Sequence, residues 1–190
     1  MSSAFLYVLA VVVWGSTWYA IDFQLGVVPV EVSLAYRYGL ASALAFAWCL
    51  ARGQSLRFGL RAHGWFVLLG LFMFGLNYLS AYYAQFYITS ALNAIVFSSI
   101  IWMNIINARL FFGSRIGSAA WIGASLGVVG IFVIFWPEVQ DVSLSDSVLT
   151  GVALSLTGSL MASFGNMVSQ GAQLGGLSIM ASNAWGMLYG

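Results

Sequence analysis

Charge is what this chain has least of. Only 6% of its 190 residues are charged, against about 25% in an ordinary soluble domain. So few charges cannot cover a water-exposed surface. With 62% of the residues hydrophobic and a mean hydropathy of +0.95, lipid must be the solvent. Cysteine is nearly absent. Cys49 stands alone inside an apolar stretch, so no disulfide can form within the chain and no Cys/His cluster exists to hold zinc. The single histidine, His63, falls in an arginine-rich segment with no carboxylate or nucleophile near it in sequence. That reads as a solvated loop residue rather than a catalytic one. A net charge of +1 leaves no footprint for nucleic acid. No phosphate-cradling glycine loop with lysine occurs, so ATP is not a direct energy source. No cofactor or metal is expected.

What is present is a set of long apolar runs. Crossing about 30 Å of hydrocarbon takes roughly 20 apolar residues in a helix. Six runs qualify, near 4–22, 32–51, 65–86, 90–112, 118–136 and 148–169, and a seventh begins near Leu177. The N-terminal run lacks a basic flank and exceeds the length of a signal-peptide core, so it reads as a retained first helix. The connecting segments alternate in sign. Arg52, Arg57, Arg61, Arg109 and Arg115 lie in or beside two of them, and Asp22, Glu31, Glu138, Asp141 and Asp146 in or beside two others. By the positive-inside rule the arginine segments and the N-terminus are cytoplasmic and the acidic segments external. The last connection, GAQLGGLS at 171–178, carries no charge but belongs on the cytoplasmic side. The expectation is an all-α, polytopic transmembrane helix bundle in contact with the lipid bilayer.

Small residues mark where such helices touch, because close backbone approach substitutes for hydrophobic drive in lipid. Gly123 and Gly127 form a GxxxG pair with Gly130 nearby, and Gly151, Ser155, Ser159 and Ser163 recur every four positions. Trp18, Tyr19, Phe135 and Trp136 near the outer ends, and Trp48 and Trp65 near the inner ends, fit interfacial belts.

Several stretches then look familiar. WGSTWYAI at 14–21, VPVEVSLAYRYGLASAL with Arg37, YAQFYITSALNAIVFSS at 83–99 and the glycine-rich IGSAAWIGASLGVVGIFVI at 116–134 follow one another in order. Together they resemble the EamA-like branch of the drug/metabolite transporter superfamily. LTGVALSLTGSLMASFGNMVSQ at 149–170 looks like the start of a second repeat, with Trp14-Gly15-Ser16 aligned on Met161-Ala162-Ser163. Two departures stand out. The family's mid-helix proline in the fourth helix is replaced by Ser99, Ile100, Ile101 and Trp102, and its G-E-R triplet by Gly113-Ser114-Arg115. The resemblance implies two five-helix repeats of opposite orientation. Residues 1–136 would form the first repeat, 137–147 an external loop, and 148–190 the opening of the second. An odd number of helices per repeat produces that inversion. Because the chain stops at Gly190 within an apolar run, three further helices and most of a fourth are expected as partners, with a homodimer possible. The implied setting is a bacterial-type inner membrane.

Candidate pathway residues come from polarity inside the spans. Arg37 lies about 9 Å into the second span, counted from Glu31. An intramembrane charge is a functional hypothesis by default. It can also snorkel to the interface or pair with Asp22. Asn93, Phe97, Ile100, Asn104 and Asn107 share one helical face, which either hydrogen-bonds neighbouring helices or lines a polar cavity. Asn77, Tyr78 and Tyr82 in the third span offer similar chemistry, and Trp14, Thr17 and Trp18 share a face of the first. Asn166 continues the small-residue face of the sixth. Aromatic walls with a few hydrogen-bonding groups suit amphipathic organic solutes. No acid lies deep in any span, so the buried carboxylate relay common in proton-coupled transport is missing from these residues. The favoured reading, resting on the resemblance, is a secondary transporter, a permease or exporter of small metabolites. The alternatives are a non-transporting membrane scaffold and an intramembrane enzyme, the last lacking any paired nucleophile and base.

Overall fold

Backbone polar groups have no water to bond in hydrocarbon, so each apolar run must satisfy them internally as a helix. A computed structural model describes residues 3–24, 26, 28–134, 136–140 and 145–190, without the side chains of Ser3, Trp18, Asp22, Glu138 and Val139. The helices are α1 Ser3–Asp22, α2 Val30–Ala51, α3 Leu60–Ala84, α4 Ser90–Phe112, α5 Ser118–Ile134, α6 Asp146–Leu174 and α7 Ile179–Tyr189. A short turn of helix, Trp136–Gln140, follows α5. No strand occurs among the described residues. Helices α1 to α4 and α6 are long and apolar enough to cross a bilayer. Helix α5 has 17 residues, the lower edge of the usual range of about 17–25. Phe135, which follows it, lies outside the described residues.

Capping sets several ends. Thr89 accepts the Leu92 N–H at 3.2 Å and Ser145 accepts that of Val148 at 3.4 Å, each opening a helix. Gly113 at φ +64° closes α4 in the left-handed conformation that glycine adopts without strain.

Three expectations from sequence need correction. Helix α3 starts at Leu60, not near 65, and Phe58 just before it packs on the second turn, its ring 5.2 Å from that of Phe66. His63 is therefore helical rather than in a loop, and its Nδ1 lies 2.8 Å from the Tyr189 hydroxyl. Helix α6 runs on to Leu174, so Gly171–Leu174 is helical and the connection is only four residues long. Packing overrides the poor helix propensity of Gly171 there, since a Cβ at that position would stand 2.9 Å from the Trp65 ring.

Helix α6 is the hub. It runs antiparallel to α3 along glycines spaced by seven. A Cβ on Gly151 would come within 2.7 Å of Ile88, on Gly158 within 3.1 Å of the Asn77 carbonyl, and on Gly165 within 2.8 Å of Met73. It runs parallel to α4. Ser155 bonds Asn93, Ser159 bonds the Phe97 carbonyl, and Asn166 bonds Asn104, each 62 residues apart. Helix α7 packs antiparallel to α2, where Ser42 donates to the Ala184 carbonyl at 2.8 Å. Helices α1 and α5 lie at the margin, with Tyr7, Trp14, Leu126 and Val133 more than half exposed.

This packing sorts the charges. Arg52, Arg57 and Arg61 surround the start of α3, beside the end of α6, and Arg109 and Arg115 stand at the end of α4 on the same side. Glu31 accepts a hydrogen bond from Tyr83 near the far end of α3, and Asp146 begins α6 on that opposite side.

Two irregularities matter for the site. Residues Gly70–Leu76 of α3 are π-helical, a geometry frequent at functional sites. Gly70 lies so close to α7 that a Cβ would be 2.6 Å from the Gly186 carbonyl. Helix α4 loosens at Ser98 and Ser99, where Ile101 and Trp102 bond three residues back. The proline-like weakness is thus present without a proline.

Candidate functional site

A cavity of ≈ 90 Å³ lies where α1, α3, α4 and α6 meet. It brings together Trp14, Thr17, Asn77, Tyr78 and Asn166, with Phe97 and Ile100 as its apolar wall. Trp14 is 62% exposed and flanks the open side. The Trp18 side chain falls outside the described residues. Thr17 bonds the Val13 carbonyl of its own helix at 2.9 Å, which fixes its rotamer.

Asn77 is the most informative wall residue. It is 5% exposed, at the end of the π-helical segment. Its Nδ2 donates to the Met73 carbonyl at 3.1 Å, which fixes the amide orientation because that partner can only accept. Its Oδ1 is then a buried acceptor with no partner. Such a group calls for an explanation, because burying a polar atom unpaired is costly.

The asparagine face of α4 divides. Asn93 is fully buried, with Nδ2 on the Ala81 carbonyl at 2.9 Å and Oδ1 accepting from Ser155 at 2.6 Å. Asn107 donates to Ser163 Oγ at 2.9 Å. Both side chains spend these bonds between helices. Asn104 instead accepts from Asn166 at 3.1 Å, and Asn166 lines the cavity. Replacing Asn107 by Leu is expected to lower the thermal stability of the detergent-solubilised protein by about 1 kcal/mol, the usual worth of such an interhelical bond. A melt indistinguishable from wild type would show that the bond contributes nothing.

Arg37 stands beside the cavity, not in its wall. Its guanidinium donates to Tyr82 Oη at 3.2 Å and lies 5.0 Å from the Tyr78 ring centroid. The Tyr82 hydroxyl donates onward to Gln24 Oε1 at 3.0 Å. Tyr78 thus has one face on the arginine and lines the cavity as well. The Asp22 side chain, the anticipated partner of Arg37, lies outside the described residues. A lysine ammonium lacks the planar face that lies on Tyr78 while an edge N–H reaches Tyr82, so Arg37→Lys should cost about 1 kcal/mol of stability. A melting curve unchanged by that substitution would point to simple snorkelling.

Among the small residues, Gly151 is buried against Tyr87 and Ile88 of the link after α3, and Ser155, Ser159 and Ser163 are buried against α4. No atom of another described segment lies within 4 Å of a Cβ built on Gly123, Gly127 or Gly130. Sequence reasoning passed over Gln24, Met73, Ala81 and Ala162. Only Gln24 carried a visible signal, a polar side chain beside the end of the first span. No group of three His, Cys, Asp or Glu occurs among the described residues.

This arrangement of apolar helices around a small, partly polar cavity coincides with a family match. The sequence model of the EamA-like transporter family matches residues 1–136, which reach from α1 through α5. The chain belongs to the EamA-like transporter family. It is a multi-pass integral membrane protein of a transporter family. No curated protein and no solved structure matches it. Within this EamA-like chain the cavity is built by α1, α3 and α4 of the matched region together with α6, which lies beyond it.

Proposed function

We propose that this EamA-like chain forms part of a secondary transporter that moves small organic metabolites across a bacterial-type inner membrane by alternating access. The solute path is the cavity between α1, α3, α4 and α6. The observation that carries this reading is the unpartnered Asn77 Oδ1, a buried acceptor on a residue that lines the cavity beside Thr17, Asn166 and aromatic rings. At ≈ 90 Å³ the cavity holds only a few waters, whereas small-molecule sites span about 300–1,000 Å³. A larger space opens when α1 moves. Helix α1 is suited to move, because it meets the bundle chiefly through the first half of α4.

Opposite directions of α1 and α6 support the inverted repeat. The link after α1 lies with Glu31 at one end of the bundle, and α6 starts at that same end. Both repeats would then contribute to one midplane site. The segregated arginines favour an N-terminus on the cytoplasmic side.

The test is metabolite profiling of the medium around cells expressing the intact protein or its Asn77→Leu variant. Transport predicts that at least one small organic solute accumulates outside with wild type and not with the variant. Identical profiles, with both proteins present in the membrane, would favour a scaffold without a solute path.

A further inference from the structure

A second concavity opens at the arginine end, away from the central cavity. Its deeper part is an apolar groove of ≈ 480 Å³ between α3, the end of α4 and α6, walled by Trp65, Phe72, Phe111 and Phe164 among others. Phe164 holds its neighbours edge-on, 5.8 Å from Phe72 and 6.2 Å from Phe111. Its outer part, ≈ 690 Å³, is lined by Arg57, Arg61 and the turn that follows α6. Trp65 lines both parts and is held over Gly171. The two parts therefore meet at one side chain, an indole at the depth where interfacial tryptophans sit.

The chemistry of the two parts differs in one direction. The outer part presents two guanidinium groups and no acidic side chain. The start of α3 adds the positive end of a helix, and the end of α6 opposes it with a negative one. The full charges of the arginines therefore decide the sign. A guanidinium forks naturally onto phosphate oxygens. The inner part offers aromatic and aliphatic walls with no charged side chain. An occupant must carry a phosphate at one end and a flexible hydrocarbon at the other, in that order along the membrane normal. An apolar helix would fill the groove but leave both arginines without a counter-charge.

We propose that this surface binds one anionic phospholipid, with its headgroup on Arg57 and Arg61 and an acyl chain along Trp65, Phe72, Phe111 and Phe164. Basic pockets between transmembrane helices on the cytoplasmic side are where anionic headgroups settle. Such a lipid would pin α3 against α6, the pair that frames the central cavity.

The experiment is native mass spectrometry of the intact protein released from mixed micelles of phosphatidylglycerol and phosphatidylcholine with identical chains. Wild type should retain the anionic lipid with a preference of about thirtyfold, the effect expected of two surface arginines. Arg57→Gln/Arg61→Gln should abolish the preference while leaving total lipid retention measurable. Trp65→Ala should lower retention of both lipids. Arg109→Gln/Arg115→Gln, which changes the same end of the bundle but not this pocket's lining, should leave the preference intact. The proposal fails if wild type shows no preference, or if the two arginine pairs behave alike. It also fails if inorganic phosphate displaces the lipid as well as added phosphatidylglycerol does, since phosphate alone would then be the ligand. Retention unaltered by Trp65→Ala, or a preference unaltered by Arg57→Gln/Arg61→Gln, would also overturn the proposal.

Discussion

Gly165→Val is expected to leave almost no folded protein. A Cβ at Gly165 would lie 2.8 Å from Met73 Cβ, 2.9 Å from Met73 Cα and 3.0 Å from its backbone nitrogen. Side chains can rotate away from a clash, but the α3 backbone cannot. Overpacking in cores commonly costs 1–3 kcal/mol, and a backbone obstruction places this site at about 3 kcal/mol or beyond. Valine also adds a branched side chain to a seam where helix α6 has only glycine to offer, at Gly151, Gly158 and Gly165. The matched control is Gly127→Val on α5, where no other described segment lies within 4 Å. That change should stay within about 0.5 kcal/mol of wild type, as surface substitutions do. The measurement is the yield of monodisperse protein in mild detergent and its melting curve. Equal melts for Gly165→Val and wild type would sink the account of the α3–α6 seam. Equal damage from the two variants would show that α5 carries a comparable contact with a surface outside the described residues.

The same seam shows what could be read from sequence and what could not. Helix positions were legible because twenty-residue apolar runs have few alternatives in lipid. The four-residue recurrence of Gly151, Ser155, Ser159 and Ser163 was also visible. A second recurrence, by seven, runs through Gly151, Gly158 and Gly165, and only the structure shows that it faces α3 while the serines face α4. Spacing names a face of a helix but not its neighbour. The asparagines of α4 make the same point. Asn93, Asn104 and Asn107 share one stripe, yet Asn93 and Asn107 meet serines and Asn104 meets Asn166. Their different surroundings are properties of α6, not of α4. The setting of Arg37 was equally out of reach, since Tyr82 and Gln24 are 45 residues downstream and 13 upstream of it. The π-helical turn had no local signal either. It is sited where Gly70 presses on α7, more than a hundred residues later.

Asn77→Leu is expected to separate stability from function. In most buried positions, removing an amide costs stability because its partners are orphaned. Here the Oδ1 has no partner to orphan, and the Nδ2 partner is the Met73 carbonyl, four residues back in the same helix. Leucine keeps the branching of the side chain and removes a buried acceptor that has no protein partner. Replacing such a group by an apolar one of similar shape is close to neutral and can stabilise. The melting temperature should therefore hold or rise. Solute flux should fall about tenfold, the loss of one neutral hydrogen bond to the bound solute. Stability gained where activity is lost is the pattern of a site kept unfavourable for a purpose. A purely structural Asn77 predicts the reverse, a lowered melt in the leucine variant with no specific loss of flux. Asn77→Gln sharpens the comparison. It keeps the acceptor but moves it by one methylene, so flux should fall less than with leucine, while a steric effect of side-chain length alone would make the longer glutamine at least as damaging.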